Sequence, residues 1–416
     1  MSGPLDGVKV LDLTHGVAGP YCTMVLGDLG CEIVKIEKPE RGDATRYMNV
    51  SPRFRTRIPD VGGDYFLAIN RNKRSLCLEL KSPEARKICE ELAAWADVVV
   101  QNFRPGVVGR LGLDYESLRR FNPKLIYANI SAYGSDGVLA EKSGMDVAVQ
   151  ARSGVMRITG SLDSDEPVRP GVSLADFGGG IYLTTAILAA LYDRERTGKG
   201  QEVSVSLLDA TMSMLINYSV AVMDGGAKLK PLGSGHPQLV PYQAFPTFDG
   251  FVVVATGTNK TYRDFCVAIG RPDLIEDPRF ATNPSRVQHR HEIVEAISAV
   301  FRGRTTSEWV ELLETADIPC APVNSLEAAY AELATTSPGM THRIEHPALG
   351  PLSQLGVPFR FSEANGDLRR PPPMLGEHTD EILTGLLGRT EGEVAALRAS
   401  GIVGSAPASS RASDDA

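Results

Sequence analysis

The sequence lacks the signatures that most readily betray a function. No G-x-G-x-x-G fingerprint follows its first strand pattern, and there is no G-x-x-x-x-G-K-[ST] loop. A nicotinamide dehydrogenase and a P-loop NTPase therefore lose their defining phosphate cradles. The six cysteines (Cys22, Cys31, Cys77, Cys89, Cys266 and Cys320) form no C-x-x-C pair, and none stands at metal-ligand spacing from a histidine. They read as reduced and mostly buried, and no metal site is expected. His289 and His291 lie two apart without partners and read as a surface loop or helix end. Positive charge is in deficit: 43 Lys and Arg face 51 Asp and Glu, for a net charge of −8. That argues against a general nucleic-acid binder, while local basic clusters still suit an anionic small molecule. No uninterrupted apolar run reaches membrane length; the most apolar stretch, near Ile181 to Tyr192, reads as too short and sits beside charges. The opening MSGPLDGVKV has neither the basic nor the apolar part of a signal peptide, so a cytoplasmic protein is expected. Internal repeats are missing as well.

What is present is an alternation of strand and helix patterns across the first half of the 416 residues. VKVLDLT, CEIVKIEK, SLCLEL, DVVVQNF and LIYANISAYG read as short strands, with VAGPYCTMVLGDLG and Pro83 to Ala96 as helices between them. Ser82 and Pro83 form a helix start. Short apolar strands separated by helices imply a parallel sheet covered on both faces, an α/β fold. Texture changes near Gly225, where GGAKLKPLGSGHPQLVP reads as a loop. The expected organisation is a large domain over 1–224, a smaller α/β domain over 225–330, a return to the large domain over 331–403, and a disordered polar tail over 404–416.

Four segments carry candidate chemistry. The turn THGVAGPYC places Gly16 and Gly19 where backbone N–H groups can approach a ligand at a helix start, or simply where the chain turns tightly. Two basic segments, KIEKPERGDATR (Lys35, Lys38, Arg41, Arg46) and NRNKR (Asn70 to Arg74), suit phosphates or a solvated edge. QNFRPGVVGRLG sets Asn102 and Phe103 at a strand end, where open α/β sheets bind ligands, with Arg104 and Arg110 beyond. The fourth is SLADFGGGIYLTTAILAALYDRER. Its Asp176 reads as a helix N-cap, held ionised by the helix terminus. Gly178, Gly179 and Gly180 cost helix stability, about 1 kcal/mol each. A mere cap does not need that loss, and removing side chains there leaves room for a bulky substrate.

Long ordered stretches (PLDGVKVLDLTHGVAGPYCTMVLGDLGCEIVKIEKPERGD, NRNKRSLCLELKSPE, ADVVVQNFRPGVVGRLGL, SLADFGGGIYLTTAILAALYDRERTGKGQEVSVSLLDA, PPPMLGEHTDEIL) resemble the family III CoA-transferases, the CaiB/BaiF family, over nearly the whole chain. The resemblance implies a large Rossmann-like domain, a small domain and a homodimer of interlocked rings. It implies an acyl-CoA and a carboxylic acid as substrates, with no tightly bound cofactor. Asp176 matches the nucleophile that forms an aspartyl anhydride and then an aspartyl-CoA thioester, with Gly178 and Gly179 beside it. The implied CoA contacts are His15, Gly16, Val17, Lys38, Asn72, Lys73, Asn102, Phe103, Arg110 and Lys142. GSGHPQ, with Gly233 and Gly235, stands where members carry a glycine-rich loop over the nucleophile. The family also holds α-methylacyl-CoA racemases, which pair the Asp with a His in a GHD motif; here the motif reads GMD, and Met145 carries no proton. HPQLVPYQAF, PVRPGVSLADFGGG and RRPPPMLGEHT look most like enzymes using succinyl-CoA and small dicarboxylic acids. Arg46 and Arg169 are the candidates for the distal carboxylate. Formyl, oxalyl or carnitine-type transfer and non-catalytic CoA-ester binding are the alternatives.

Overall fold

The computed structural model describes residues 3–57 and 60–404. The expected tail therefore lies, apart from Gly404, outside the described residues. Two compact units emerge: Met1–Val155 with Arg169–Gly226 and Ser337–Ala416, and Met156–Val168 with Ala227–Thr336. Residues 156–168, counted from sequence within the large domain, belong to the smaller unit.

The larger unit is built on six parallel strands: β1 (Lys9–Asp12), β2 (Glu32–Glu37), β3 (Lys73–Cys77), β4 (Val98–Gln101), β5 (Ile126–Ser131) and β6 (Glu202–Ser206). Their order is β3-β2-β1-β4-β5-β6, the doubly wound arrangement that reverses between β1 and β4. Alternation along the strands feeds two cores. Leu11, Val34, Leu76, Val99 and Tyr127 face the Pro83–Trp95 helix and the C-terminal Ile382, Leu383 and Val394. Val10, Ile33, Val98, Val100 and Ile126 face the Ala18–Asp28 helix and Leu183 and Ile187 of the Leu174–Thr197 helix. Burial on both faces is why these strands read as unbroken apolar runs.

Two expectations change here. β3 starts at Lys73, two residues before the apolar stretch, because Lys73 and Arg74 are buried in the sheet with ionic partners. The apolar helix is not short: Leu174–Thr197 spans 24 residues and is long and apolar enough to cross a membrane by length and composition. Half of its most apolar window is buried within the protein, against β5, β6 and the Ala18–Asp28 helix. That packing accounts for its apolar face.

The smaller unit packs the antiparallel strands β7 (Tyr242–Pro246), β8 (Phe251–Ala255) and β9 (Cys320–Pro322) against helices Asn259–Ala268, Arg290–Phe301 and Thr306–Thr315. Phe301 stacks on Trp309 at 4.4 Å in its core. The cap of the last helix is Thr305, in a capping box with Glu308. β10 (Thr341–His346) and β11 (Gly350–Leu355) form a hairpin in the larger unit.

Polar chemistry is buried under the carboxyl ends of β1 and β2. Asp12, Lys35, Glu37, Asp43, Arg46 and Lys73 are all nearly inaccessible to solvent, three acids against three bases. Arg46 grips Glu37 with two hydrogen bonds of 2.7 Å, donates to Asp60, Val61 and Pro373 carbonyls, and lies over the Phe66 ring at 3.6 Å. Removing one member of such a pair strands the other charge in low dielectric. Arg46→Met should therefore cost about 3–5 kcal/mol, read as a fall in the urea midpoint at neutral pH.

Candidate active site

Where the strand order reverses, the turns after β1 and β4 face each other. The Asn102 side chain spans them: its Oδ1 accepts from the His15 N–H at 3.0 Å, and its Nδ2 donates to the His15 carbonyl at 2.6 Å. The His15 ring meets Phe103 edge-on at 5.3 Å. Gly16, at φ 80°, donates its N–H to Asp43 at 3.1 Å. Thr14 offers its carbonyl to Lys35 Nζ at 2.6 Å, and Lys35 pairs with Asp43 at 2.9 Å. Burial raises the Asp43 carboxyl, but Lys35 and the Thr45 donors outweigh it and bring it down to about 2. Val17 then starts the helix. The turn is thus held through its backbone on both sides.

A cavity of about 650 Å³ opens beside it at the carboxyl ends of β1, β2 and β3. Its walls include Leu13, His15, Phe103 and Leu111, with exposed Lys38, Arg41 and Lys81 around it. A second cavity, about 410 Å³, shares Phe103 with the first and is also lined by Asn102, Tyr133, Lys142 and Met145. Arg110 is exposed on the Val107–Leu111 helix, whose ends line the first cavity. An apolar cleft rimmed by cations at a topological switch point suits an aromatic base carrying phosphates.

Two expected contacts lie elsewhere. Asn72, just before β3, is buried at the amino end of the strand, away from the cavity at the carboxyl ends. Its amide donates to Asp28 and to the Asp367 carbonyl, and accepts from the Arg369 and Arg370 N–H groups. Lys73 is wholly buried, bonded to Asp12, the Pro20 carbonyl and Asn70. Burial draws its ammonium down to about 8 despite Asp12. These side chains bind the fold together, because every polar group they own is already taken inside it. Arg46, spent on Glu37, is likewise no candidate for a substrate carboxylate.

Asp176 sits in the first turn of the Leu174–Thr197 helix, not at its cap. The helix begins after Ser173, whose side chain makes no capping bond. Asp146, first residue of the Asp146–Ser153 helix, takes that role: its Oδ1 accepts from the Ala175 N–H at 2.9 Å and the Asp176 N–H at 3.3 Å. Among the described residues, no hydrogen bond or ion pair holds the Asp176 carboxylate itself. Its acidity departs from the expectation drawn from the helix terminus. Burial, then the charge of Asp146, push it up to about 7, with Arg169 opposing. Asp176 is therefore harder to ionise than an ordinary carboxyl.

The glycines after it admit other parts of the protein. A Cβ on Gly178 would stand 2.4 Å from the Met214 methyl, on Gly179 2.5 Å from Leu207 Cδ2, and on Gly180 2.8 Å from the Ala18 carbonyl. Their helix cost is offset by close packing, not by space for a ligand.

With this geometry in view, the comparisons with known proteins are direct. The sequence profile of CoA-transferase family III matches residues 5–379. The chain belongs to that family. This family III CoA-transferase is 40% identical over 400 residues to the succinyl-CoA:glutarate CoA-transferase of Mus musculus, covering 96% of this chain and 90% of that protein. It is 36% identical to the succinate--glutarate CoA-transferase of Agrobacterium fabrum, over 92% of this chain and 96% of that one. A CAIB/BAIF family protein from Brucella suis, solved as a crystal structure, superposes with a TM-score of 0.82 at 35% identity, over 93% of this chain and all of that one. The protein is thus an enzyme of the CoA-transferase type.

In this transferase the remaining expected residues fall as follows. Arg169 stands 3.6 Å from Asp146 and 3.3 Å from the Ser173 hydroxyl, with its guanidinium half-exposed. Gly233 and Gly235 belong to the smaller unit, where Gly233 turns at φ 60° and donates to the Gly160 carbonyl at 2.8 Å. Sequence reasoning missed Lys35 and Asp43 as the support of the first turn, and Asp146 as the cap. The signal for Asp146 lay in the GMD triplet, a carboxylate one residue past the position weighed for a proton carrier.

The raised Asp176 has a stability consequence of definite sign. Between the usual carboxyl value of 3.8 and about 7, the native state holds a proton that the unfolded chain has lost, so stability falls as pH rises through that window. Asp176→Asn removes this penalty. Its melting temperature should match the parent near pH 4 and exceed it increasingly up to pH 7, levelling off above, as read by thermal unfolding across pH.

Proposed function

We propose that the enzyme moves CoA from succinyl-CoA to a small dicarboxylic acid, with glutarate the first acceptor to try, through covalent intermediates on Asp176. The observation that carries this reading is a half-buried carboxylate at a helix head with no partner of its own among the described residues. The names of its relatives supply the substrates. In the ionised form, one Asp176 oxygen attacks the thioester carbonyl carbon. The C–S bond breaks, CoA leaves as the thiolate, and a mixed anhydride forms. The thiolate then attacks the aspartyl carbonyl of that anhydride, the bridging C–O bond breaks, and succinate departs, leaving Asp176 as a CoA thioester. The acceptor carboxylate attacks this thioester, again expelling the thiolate and forming a second anhydride. Attack of the thiolate on the acceptor's carbonyl gives the new acyl-CoA and frees Asp176. Holding the thiolate beside the anhydride makes each return step effectively unimolecular.

The His15–Gly16 turn and its cavity, with Lys38 and Arg110, are assigned to the nucleotide part of CoA, and Phe103 to the adenine face. Arg169, loosely held beside the nucleophile, is assigned to the distal carboxylate of the acid. Met145 at the position of a racemase histidine carries no proton, so the racemase reading gains no support.

A panel of carboxylic acids with succinyl-CoA, read by mass spectrometry of the CoA esters, tests this directly. New dicarboxylyl-CoA products are expected; untouched succinyl-CoA with every acid would refute the donor. Asp176→Ala should lose at least about a thousandfold in turnover. Arg169→Met should raise KM for dicarboxylates several-fold while sparing monocarboxylates.

The partner we assign is a second copy of the chain. The Ile216–Met223 helix buries none of its residues, and Ile216, Val220 and Met223 are each at least 70% exposed. Ile181 and Tyr192 of the long helix and Met212 are also exposed. So much bare apolar surface is what a large permanent interface leaves on a single subunit. Sedimentation velocity at nanomolar concentration should show one dimeric species, and a monomer boundary there would contradict the interlocked arrangement.

A further inference from the structure

Among the described residues, Asp146 is the one buried acid that reaches the nucleophile's helix from another element. It lies on the Asp146–Ser153 helix, with most of its surface covered. One carboxylate oxygen accepts from the Ala175 and Asp176 N–H groups, at 2.9 and 3.3 Å. The other accepts from Gln150 Nε2 at 2.6 Å and faces the Arg169 guanidinium at 3.6 Å. The same residue thus closes the open end of the helix and places a negative charge next to the reacting carboxylate. For a helix cap alone, a neutral Ser, Thr or Asn on the helix itself would serve as well. Here Ser173 occupies that position and leaves the capping to a charge from elsewhere.

We propose that Asp146 is a positioning residue of the transfer reaction: its Oδ1 fixes the backbone that carries Asp176, and its charge opposes the charge that Asp176 must bear to attack. This rests on the reading of Asp176 as the nucleophile. Two charges act on that carboxylate in opposite senses, Asp146 raising its pKa and Arg169 lowering it. An acceptor carboxylate that draws Arg169 away would leave the opposition of Asp146 unbalanced. Raised by burial and by the charge of Asp146, the Asp176 carboxylate is a stronger base, and so a better nucleophile, once it is ionised.

The experiment is the pH dependence of exchange of labelled succinate into succinyl-CoA, which needs no second acid. In the parent, the rate should rise with pH to a plateau, with a midpoint near 7, as Asp176 loses its proton. Asp146→Asn keeps an oxygen for the two N–H groups and loses the charge. Its new Nδ2 can donate to Gln150 Oε1, which is buried without a partner, once the Gln150 amide turns over. With the negative charge gone and Arg169 unopposed, the midpoint should fall by about one pH unit, a tenfold change in acid dissociation, at similar KM. Asp146→Ala, which also loses the cap, should in addition lower the plateau. An unchanged midpoint in Asp146→Asn would overturn the proposal and leave Asp146 a structural cap. Should that variant not fold, Asp146→Ser is read in its place, with the same two outcomes.

Failure of the parent to exchange would count against the function proposed above and not against Asp146. The midpoint is then read without activity, from the difference in unfolding stability with and without Asp176→Asn across pH, in the parent and Asp146→Asn backgrounds. A fall of about one unit supports the proposal there too, and coincident curves overturn it.

Discussion

Six charges buried in balance beneath the carboxyl ends of β1 and β2 are the constraint on which the cleft beside them depends. Asp12, Lys35, Glu37, Asp43, Arg46 and Lys73 leave water together, and each finds an opposite charge or a hydroxyl within hydrogen-bonding reach. Burying such groups is expensive, and apolar residues of equal volume would give a core at least as stable. What the charges supply is geometry. Lys35 and Asp43 between them hold Thr14 and Gly16 on either side of His15. Arg46 ties the end of β2 to the Asp60–Val61 turn and to Pro373, far away in sequence. A turn so constrained needs no ligand to form, which saves ordering cost when one arrives.

The carboxylate proposed as nucleophile follows a similar rule by other means. Among the described residues Asp176 has no side-chain partner, yet its backbone is pinned by Asp146, and the helix behind it is wedged by Met214, Leu207 and Ala18 against its three glycines. Position comes from the backbone, and reactivity from incomplete charge compensation. One carboxylate held at arm's length by another, with a single cation opposing, is a cheap way to place acidity near neutral pH.

Much of this was legible in the residues. The alternating strands, the Ser82–Pro83 helix start, the strand end at Asn102 and the special standing of Asp176 all follow from short-range pattern. The basic segment NRNKR was not legible. Arg71, Asn72 and Lys73 read as a phosphate-binding or solvated cluster because the acids that neutralise them, Asp28 and Asp12, are more than forty residues away. The same holds for Arg46, whose partner Glu37 is close in sequence but whose other contacts are remote. The glycines misled in the opposite direction: a missing side chain looks the same in sequence whether a ligand or a neighbouring helix fills the space.

What the sequence determined by itself is the α/β class and the family, and it singled out Asp176 as the candidate nucleophile, since these depend on periodicity and on motifs whose members are near neighbours in the chain. The tertiary structure alone decided which charges are spent inside the fold, what fills the space beside Gly178, Gly179 and Gly180, and how far Asp176 is ionised. Those outcomes depend on burial and on distances between groups remote in sequence, and electrostatic energy inside a protein is set by both.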